Sequence, residues 1–142
     1  MASDLSRFLK AQEHAYDQAL SEIRAGCKRS HWMWYIFPQI QGLGFSSTAQ
    51  FYAIQDLDEA KDYLAHPVLG ARLKEISSAL LDLEGLSASE IFGYPDDLKL
   101  RSSMTLFRLA DLDCEIFQQV IDKYYDGEPD SRTVRIVQEL SR

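Results

Sequence analysis

The sequence predicts an all-α fold, a compact single-domain array of about seven short helices that occupies residues 1–142. Apolar residues recur at steps of three and four along several segments, and capping residues or glycines mark the ends of those segments. No segment shows the sustained alternation that is typical of a strand. With 142 residues, 46% of them apolar, the chain matches the size of one ordinary domain. We therefore expect one hydrophobic core.

The N-terminal third of the chain predicts a long first helix and a short second one. The first is expected to begin after Ser3 and to end at Gly26, with one face formed by Leu5, Phe8, Leu9, Gln12, Tyr16, Ala19, Leu20 and Ile23. Residues 31–37 are almost all apolar or aromatic, which predicts a short buried helix or turn that Pro38 terminates. The glycine- and serine-rich residues 39–47 predict an exposed loop, where a ligand-binding loop is most expected.

The middle of the chain predicts three more helical segments. Residues 47–54 form a short one, and Asp56 with Glu59 is a capping box that begins another. Pro67 suits the first turn of the next helix, which should end near Gly85 and carries an apolar stripe of Leu69, Leu73, Ile76, Leu80 and Leu83.

Further helix starts are predicted in the C-terminal part at polar residues that commonly cap N-termini. These residues are Ser87 with Glu90, Asp96 or Asp97, Asp113, and Asp130. Gly93 and Gly127 are placed to end two of the segments.

Charge and composition exclude several classes of partner. The formal net charge of −7 argues against binding to duplex nucleic acid, which usually needs a basic face. No apolar stretch is long enough for a membrane helix or a signal peptide, so we expect a cytoplasmic protein without a membrane partner. Cys27 and Cys114 lie far apart and form no metal-binding motif, so we expect reduced thiols, no metal and no cofactor. The oligomeric state stays open.

The densest unusual segment, residues 26–39, places cations directly before aromatic residues. Lys28 could hold a phosphate, and the faces of Trp32 and Trp34 could stack on a base or sugar. His31 has the pKa range of an acid or base catalyst. Alternatively, the aromatic side chains simply fill the core, which is the more common role of such residues.

A second group of candidates lies where the Asp96–Asp97 helix begins. Arg101 and Ser102 offer donors to a phosphate, and Asp96 or Asp97 could orient a water molecule for hydrolysis or transfer at an N-glycosidic or phosphate-linked carbon. The alternative is that one of the two aspartates caps the helix.

Four further ligand-binding candidates are the loop residues Gly42, Gly44 and Ser46, through their backbone amides, and Arg72 as an anion contact. Arg72 could instead be a surface cation whose apolar stem lies on the core. His66 could act as an acid or base, but its position before Pro67 at a helix start favours a capping role.

Five runs of sequence, in this order, resemble a bacterial family of unknown function whose members sometimes carry the label calpastatin. They are CKRSHWMWYIFPQ (27–39), GLG (42–44), HPVLGARL (66–73), IFG (91–93) and DDLKLRSSMTLF (96–107). The resemblance covers nearly the whole chain and implies an all-α, cytoplasmic, bacterial protein. We discard the calpastatin label, because calpain inhibitors of that kind are long disordered repeats. The order of segments also resembles all-helical domains that hydrolyse N-glycosidic bonds of ADP-ribose-like or riboflavin-pathway metabolites.

Two hypotheses follow for the function. The first is a pocket that binds or hydrolyses a small phosphorylated ribose or nucleotide-like metabolite. The second is a non-catalytic interaction module, or a homodimer, that uses the aromatic segment 31–37 as an apolar patch. The burial of Trp32 and Trp34 distinguishes the two.

Overall fold

The computed structural model describes residues 3–141 and confirms the all-α class. Within these residues there are ten helices: α1 (Ser6–Gln12), α2 (Tyr16–Arg24), α3 (Met33–Ile36), α4 (Ser47–Tyr52), α5 (Leu57–Ala65), α6 (Leu69–Asp82), α7 (Ala88–Phe92), α8 (Asp96–Ala110), α9 (Ile116–Tyr125) and α10 (Ser131–Leu140). The expected count of about seven is too low, because the predicted first helix is two helices and several single turns form helices of their own. None of these helices is long and apolar enough to cross a bilayer.

The predicted first helix is interrupted after Gln12, and α2 begins at Tyr16. Both helices bury the same face, with Phe8 and Ile23 fully excluded from solvent, so the apolar period continues through the break. Ser3 does not cap the first helix. Its backbone N and its Oγ instead donate to the Asp62 carboxylate on α5, at 3.0 and 2.9 Å.

A line of aromatic rings connects four helices through the centre of the core. Phe8 on α1 meets Tyr63 on α5 edge-on at 5.2 Å between centroids, and Tyr63 lies 5.3 Å from Phe107 on α8. Phe107 in turn lies 6.0 Å from Phe117 on α9. Burying each such side chain stabilises the fold by roughly 1.5–3 kcal/mol. The core therefore runs across α1, α5, α8 and α9.

Several helix starts agree with the sequence prediction. Ser87 and Glu90 form a complete capping box at α7, in which each side chain accepts from the backbone N–H of the other residue. The Asp130 carboxylate accepts from Thr133 N at the start of α10. Asp56 accepts from Glu59 N at α5, which confirms the predicted start, but the predicted capping box is incomplete because Glu59 Oε1 accepts from Gln55 N and not from Asp56 N.

Besides Ser3, two further predicted caps are wrong. Asp113 lies in a turn where its own N–H donates to Asp111 Oδ1 at 3.1 Å, and α9 begins later, at Ile116. The helix α8 has Pro95 at its N-cap position and no side-chain cap, so neither Asp96 nor Asp97 caps it. Asp96 takes part in ion pairs instead.

The junction between α5 and α6 combines a histidine cap with a close backbone approach. His66 Nδ1 accepts from Val68 N at 3.1 Å and from Leu69 N at 3.2 Å, so the expected capping role of His66 is confirmed. A Cβ atom on Gly70 would lie 2.0 Å from Leu64 O. Only glycine allows the two helices to meet this closely.

The chain after α3 forms a loop whose two ends are hydrogen-bonded to each other. Ile40 and Ile54 form an isolated parallel bridge, in which Gln41 N donates to Ile54 O and Ile54 N donates to Gln39 O, both at 2.8 Å. The bridge closes residues 41–53, which contain α4, into one compact loop beside α3.

Candidate anion-binding cleft

Glu22 on α2 organises the basic and aromatic segment that follows that helix. Its carboxylate accepts from Arg29 N, from Ser30 N and Oγ, and from Trp32 Nε1, at distances between 2.7 and 2.9 Å. Burial alone raises the pKa of this carboxyl, but the four hydrogen bonds outweigh burial and lower the pKa to about 2. Glu22 is therefore ionised at neutral pH and holds Trp32 in place.

The hydrogen bond to Glu22 places Trp32 in the core. Its side chain is 1% exposed and lies 6.1 and 6.4 Å, centroid to centroid, from the rings of Phe37 and Phe92. Trp32 therefore plays the core role that the alternative interpretation predicted, and it does not line a cleft. Trp34, two residues further on, is half-buried and has one side open to a cleft.

A chain of charges leads from the basic segment to Trp34. Asp96, at the start of α8, forms two ion pairs, one with Lys28 Nζ at 3.0 Å and one with Lys99 Nζ at 3.2 Å. The Lys99 ammonium also lies 4.1 Å from the centroid of the Trp34 ring. Asp96 and Trp34 together fix the position of Lys99, a residue that the sequence did not single out.

A cleft of about 370 Å³ opens beside Trp34 and is bounded by Leu43 and Gly44 of the loop, the first half of α8 and the start of α10. Its walls carry three cations, Lys99, Arg101 and Arg132. Asp130 is the one carboxylate among the described residues that line it. We call this space the anion-binding cleft.

Positive side chains outnumber negative ones on the cleft wall formed by residues 3–141, because three cations line it together with the single carboxylate of Asp130. Asp130 Oδ2 accepts from Thr133 N, Thr133 Oγ1 and Ser102 Oγ, at 3.1, 2.5 and 3.0 Å. Arg101 Nε donates to Glu128 O at 2.8 Å, which leaves the terminal nitrogens of its guanidinium for another partner. Asp130 therefore serves mainly as the cap of α10. Lys99 is paired with Asp96, whereas Arg101 and Arg132 have no ion-pair partner among the described residues.

The loop reaches Trp34 because residue 44 is a glycine. A Cβ atom there would lie 2.8 Å from Ala49 Cβ and 3.5 Å from Trp34 Cη2. Gly42 has a φ of +94°, which few other residues adopt. Ser46, the third loop candidate, has a structural role, because its Oγ accepts from Ala49 N at 3.1 Å and caps α4.

Gln39 is an unusual part of the cleft wall. It is 8% exposed, and its Nε2 has no hydrogen-bond partner within residues 3–141. A buried polar group without a partner costs roughly 1–3 kcal/mol, so this amide is available to a water molecule or to a ligand in the cleft. Sequence analysis did not single out Gln39, although a polar residue two positions after the apolar run 31–37 was an available signal.

The structure brings together Trp34, Gly44, Arg101 and Ser102 of the predicted site residues. The other candidates do not line this cleft: Lys28 and Asp96 lie behind Lys99, and His31, Trp32, Gly42, Ser46, Arg72 and Asp97 lie elsewhere. Arg72 is at a different place on the surface, where its guanidinium lies 5.1 Å from the Tyr16 ring. Within residues 3–141 there is no group of three His, Cys, Asp or Glu side chains that could hold a metal ion.

Comparison with known proteins identifies the family. A family described as "Protein of unknown function (DUF1810)" matches residues 2–137. The crystal structure of the conserved hypothetical protein Rv1873 from Mycobacterium tuberculosis is similar, with 49% identity, 95% of this chain and 96% of that chain covered, and a TM-score of 0.94. No curated protein matches the chain, and neither match supports a calpastatin label. The chain therefore belongs to the DUF1810 family of proteins of unknown function.

Proposed function

We propose that this protein binds a small phosphorylated, nucleotide-like metabolite in the anion-binding cleft. The observation that carries the proposal is the convergence of Lys99, Arg101 and Arg132 on one concave wall beside Trp34, in a chain whose net charge is −7. Guanidinium and ammonium groups are the side chains best suited to phosphate oxygens. A cluster of cations in an acidic protein indicates an anionic ligand.

The size of the cleft supports a small ligand. At about 370 Å³ it lies near the lower end of the range for small-molecule sites, roughly 300–1,000 Å³. The half-buried Trp34 and the buried amide of Gln39 add an aromatic surface and a polar group to the same wall. This combination suits a phosphate ester that also carries an uncharged polar part.

The geometry favours binding over the predicted hydrolysis. Neither Asp96 nor Asp97 lines the cleft, and the charge of Asp96 is balanced by Lys28 and Lys99. The Asp96 carboxylate is held by these two ammonium groups outside the cleft wall, so it is not placed to orient a water molecule in the cleft. The proposal is therefore a binding site, with Asp96 as a residue that positions Lys99.

The alternative function, an interaction module built on the aromatic segment, has less support. Four of the seven residues in segment 31–37 are buried in the single chain: Trp32, Met33, Ile36 and Phe37. Little apolar surface of this segment is left for a protein partner or a second copy.

Isothermal titration calorimetry with pyrophosphate and with nucleoside monophosphates tests the proposal. Arg132→Ala should weaken binding of both probes roughly tenfold, since a hydrogen bond to a charged group contributes about 1.5 kcal/mol or more. The matched control is Arg135→Ala, an exposed arginine on the same helix that lies outside the cleft wall.

Two results would contradict the proposal. One is the absence of binding for every phosphate compound at millimolar concentration. The other is an equal affinity of Arg132→Ala and Arg135→Ala for a phosphate that the wild type does bind.

A further inference from the structure

A second cleft lies directly beside the anion-binding cleft, and the proposed function does not use it. Its volume is about 390 Å³, and Gly44 contributes to the walls of both clefts. The described residues that line it include no charged side chain. We call it the glutamine cleft, because Gln41, Gln50 and Gln55 all line it.

The three glutamine side chains are held by the loop itself. Gln50 Nε2 donates to Phe45 O at 2.9 Å, Gln55 Nε2 to Ala53 O at 3.2 Å, and Gln41 Nε2 to Gln55 O at 3.4 Å. Each of these bonds uses one of the two amide hydrogens. Within residues 3–141, none of the three Oε1 atoms accepts a hydrogen bond. The cleft therefore offers positioned amide donors and acceptors without a net charge.

Phe45 adds an aromatic surface to the same cleft. Its side chain is 80% exposed, although it follows Gly44 directly in the wall between the two clefts. An exposed aromatic face beside amide groups suits a planar polar ring, which stacks on the face and bonds at its edge.

We infer that the ligand spans both clefts, with its phosphate in the anion-binding cleft and a neutral heterocyclic ring against Phe45 in the glutamine cleft. This inference rests on the proposed function and narrows its ligand to the nucleoside monophosphate class. Gly44, which lines both clefts, is the point where the ligand crosses from one cleft to the other.

The test separates the two ends of the ligand by comparing two probes. Pyrophosphate carries the charge without a ring, and a nucleoside monophosphate carries both. Phe45→Ala should weaken nucleoside monophosphate binding roughly tenfold, in line with the contribution of one stacked base, and change pyrophosphate binding less than about twofold. Gln55→Leu should weaken only the nucleoside monophosphate in the same way. Phe51→Ala, an exposed aromatic on α4 outside both clefts, is the matched control.

Three other outcomes would overturn the inference that the ligand spans both clefts. If Phe45→Ala and Gln55→Leu bind the nucleoside monophosphate like wild type while Arg132→Ala does not, the ring lies elsewhere and the proposed function stands. If Phe45→Ala weakens both probes equally, with an unchanged melting temperature, Phe45 acts by shaping the loop. If neither probe binds to the wild type, the proposed function fails, and this inference with it.

Discussion

Replacing Glu22 with glutamine tests whether a buried carboxylate stabilises the segment that leads to the cleft. The four hydrogen bonds to Glu22 lower its pKa from the ordinary 4.5 to about 2, against the opposing effect of burial. At 1.36 kcal/mol per pKa unit, this shift corresponds to on the order of 3 kcal/mol of stability at neutral pH. Glutamine keeps the shape and an acceptor oxygen but loses the charge, so Glu22→Gln should lose roughly 1–3 kcal/mol at pH 7.

The sign of the pH dependence follows from the direction of the shift. Because the pKa of Glu22 is lower in the folded than in the unfolded protein, its contribution is complete above about pH 4.5 and is lost as the pH falls towards 2. The difference in stability between wild type and Glu22→Gln should therefore shrink steadily across that window.

Urea denaturation at pH 7, 5, 4 and 3 measures this difference, with Glu13→Gln, an exposed carboxylate in the turn after α1, as the control. A loss for Glu22→Gln that is as large at pH 3 as at pH 7 would show that the charge is not the cause. Equal stability of Glu22→Gln and wild type at pH 7 would refute the reasoning as a whole.

Three other substitutions test local features. Gly44→Ala should weaken phosphate binding more than tenfold in calorimetry, because the new Cβ would meet Ala49 Cβ at 2.8 Å and force the loop away from the cleft; wild-type affinity would contradict this. Gly70→Ala should lower the free energy of unfolding, measured in urea, by more than about 3 kcal/mol, because the backbone atom Leu64 O would lie 2.0 Å from the new Cβ. A loss below about 1 kcal/mol, the ordinary effect of replacing a glycine, would refute this reasoning. Ser87→Ala should cost about 1 kcal/mol by the same assay, with Ser87→Thr as the control that retains the capping hydroxyl, and equal losses would argue against the capping box.

The elements that sequence analysis predicted well are those whose cause is local. The stripe of α6 and the capping box of Ser87 and Glu90 depend on residues within a few positions of each other, and both are present as predicted. The break after Gln12 was missed because the apolar period of α1 continues in phase into α2. Gln12 lies at the end of α1 with its side-chain amide buried, and this amide donates to Tyr35 O and Tyr63 Oη. These contacts are with residues distant in sequence and are visible only in the folded structure.

The candidate site could be predicted in part for the same reason. Arg101 and Ser102 were found because their chemistry is visible within one helix. Lys99 and Arg132 were missed, because their importance comes from Trp34 and from the meeting of α8 with the start of α10, and both are contacts between segments distant in sequence. The different roles of Trp32 and Trp34 were equally hidden, since the carboxylate that accepts the hydrogen bond of the buried Trp32 belongs to Glu22 on another helix.

The bridge between Ile40 and Ile54 has a consequence for the dynamics of both clefts. It joins the ends of residues 41–53 by two backbone hydrogen bonds. When these two bonds break, the loop, with α4 inside it, can open as one cooperative unit while the aromatic core stays closed. The opening free energy of this unit, measured by native-state hydrogen exchange at the amides of Gln41 and Ile54, is then smaller than that of global unfolding. A ligand that contacts both the loop and α8 should slow hydrogen exchange at these two amides first. The two amides therefore report ligand binding from a position outside the cluster of cations.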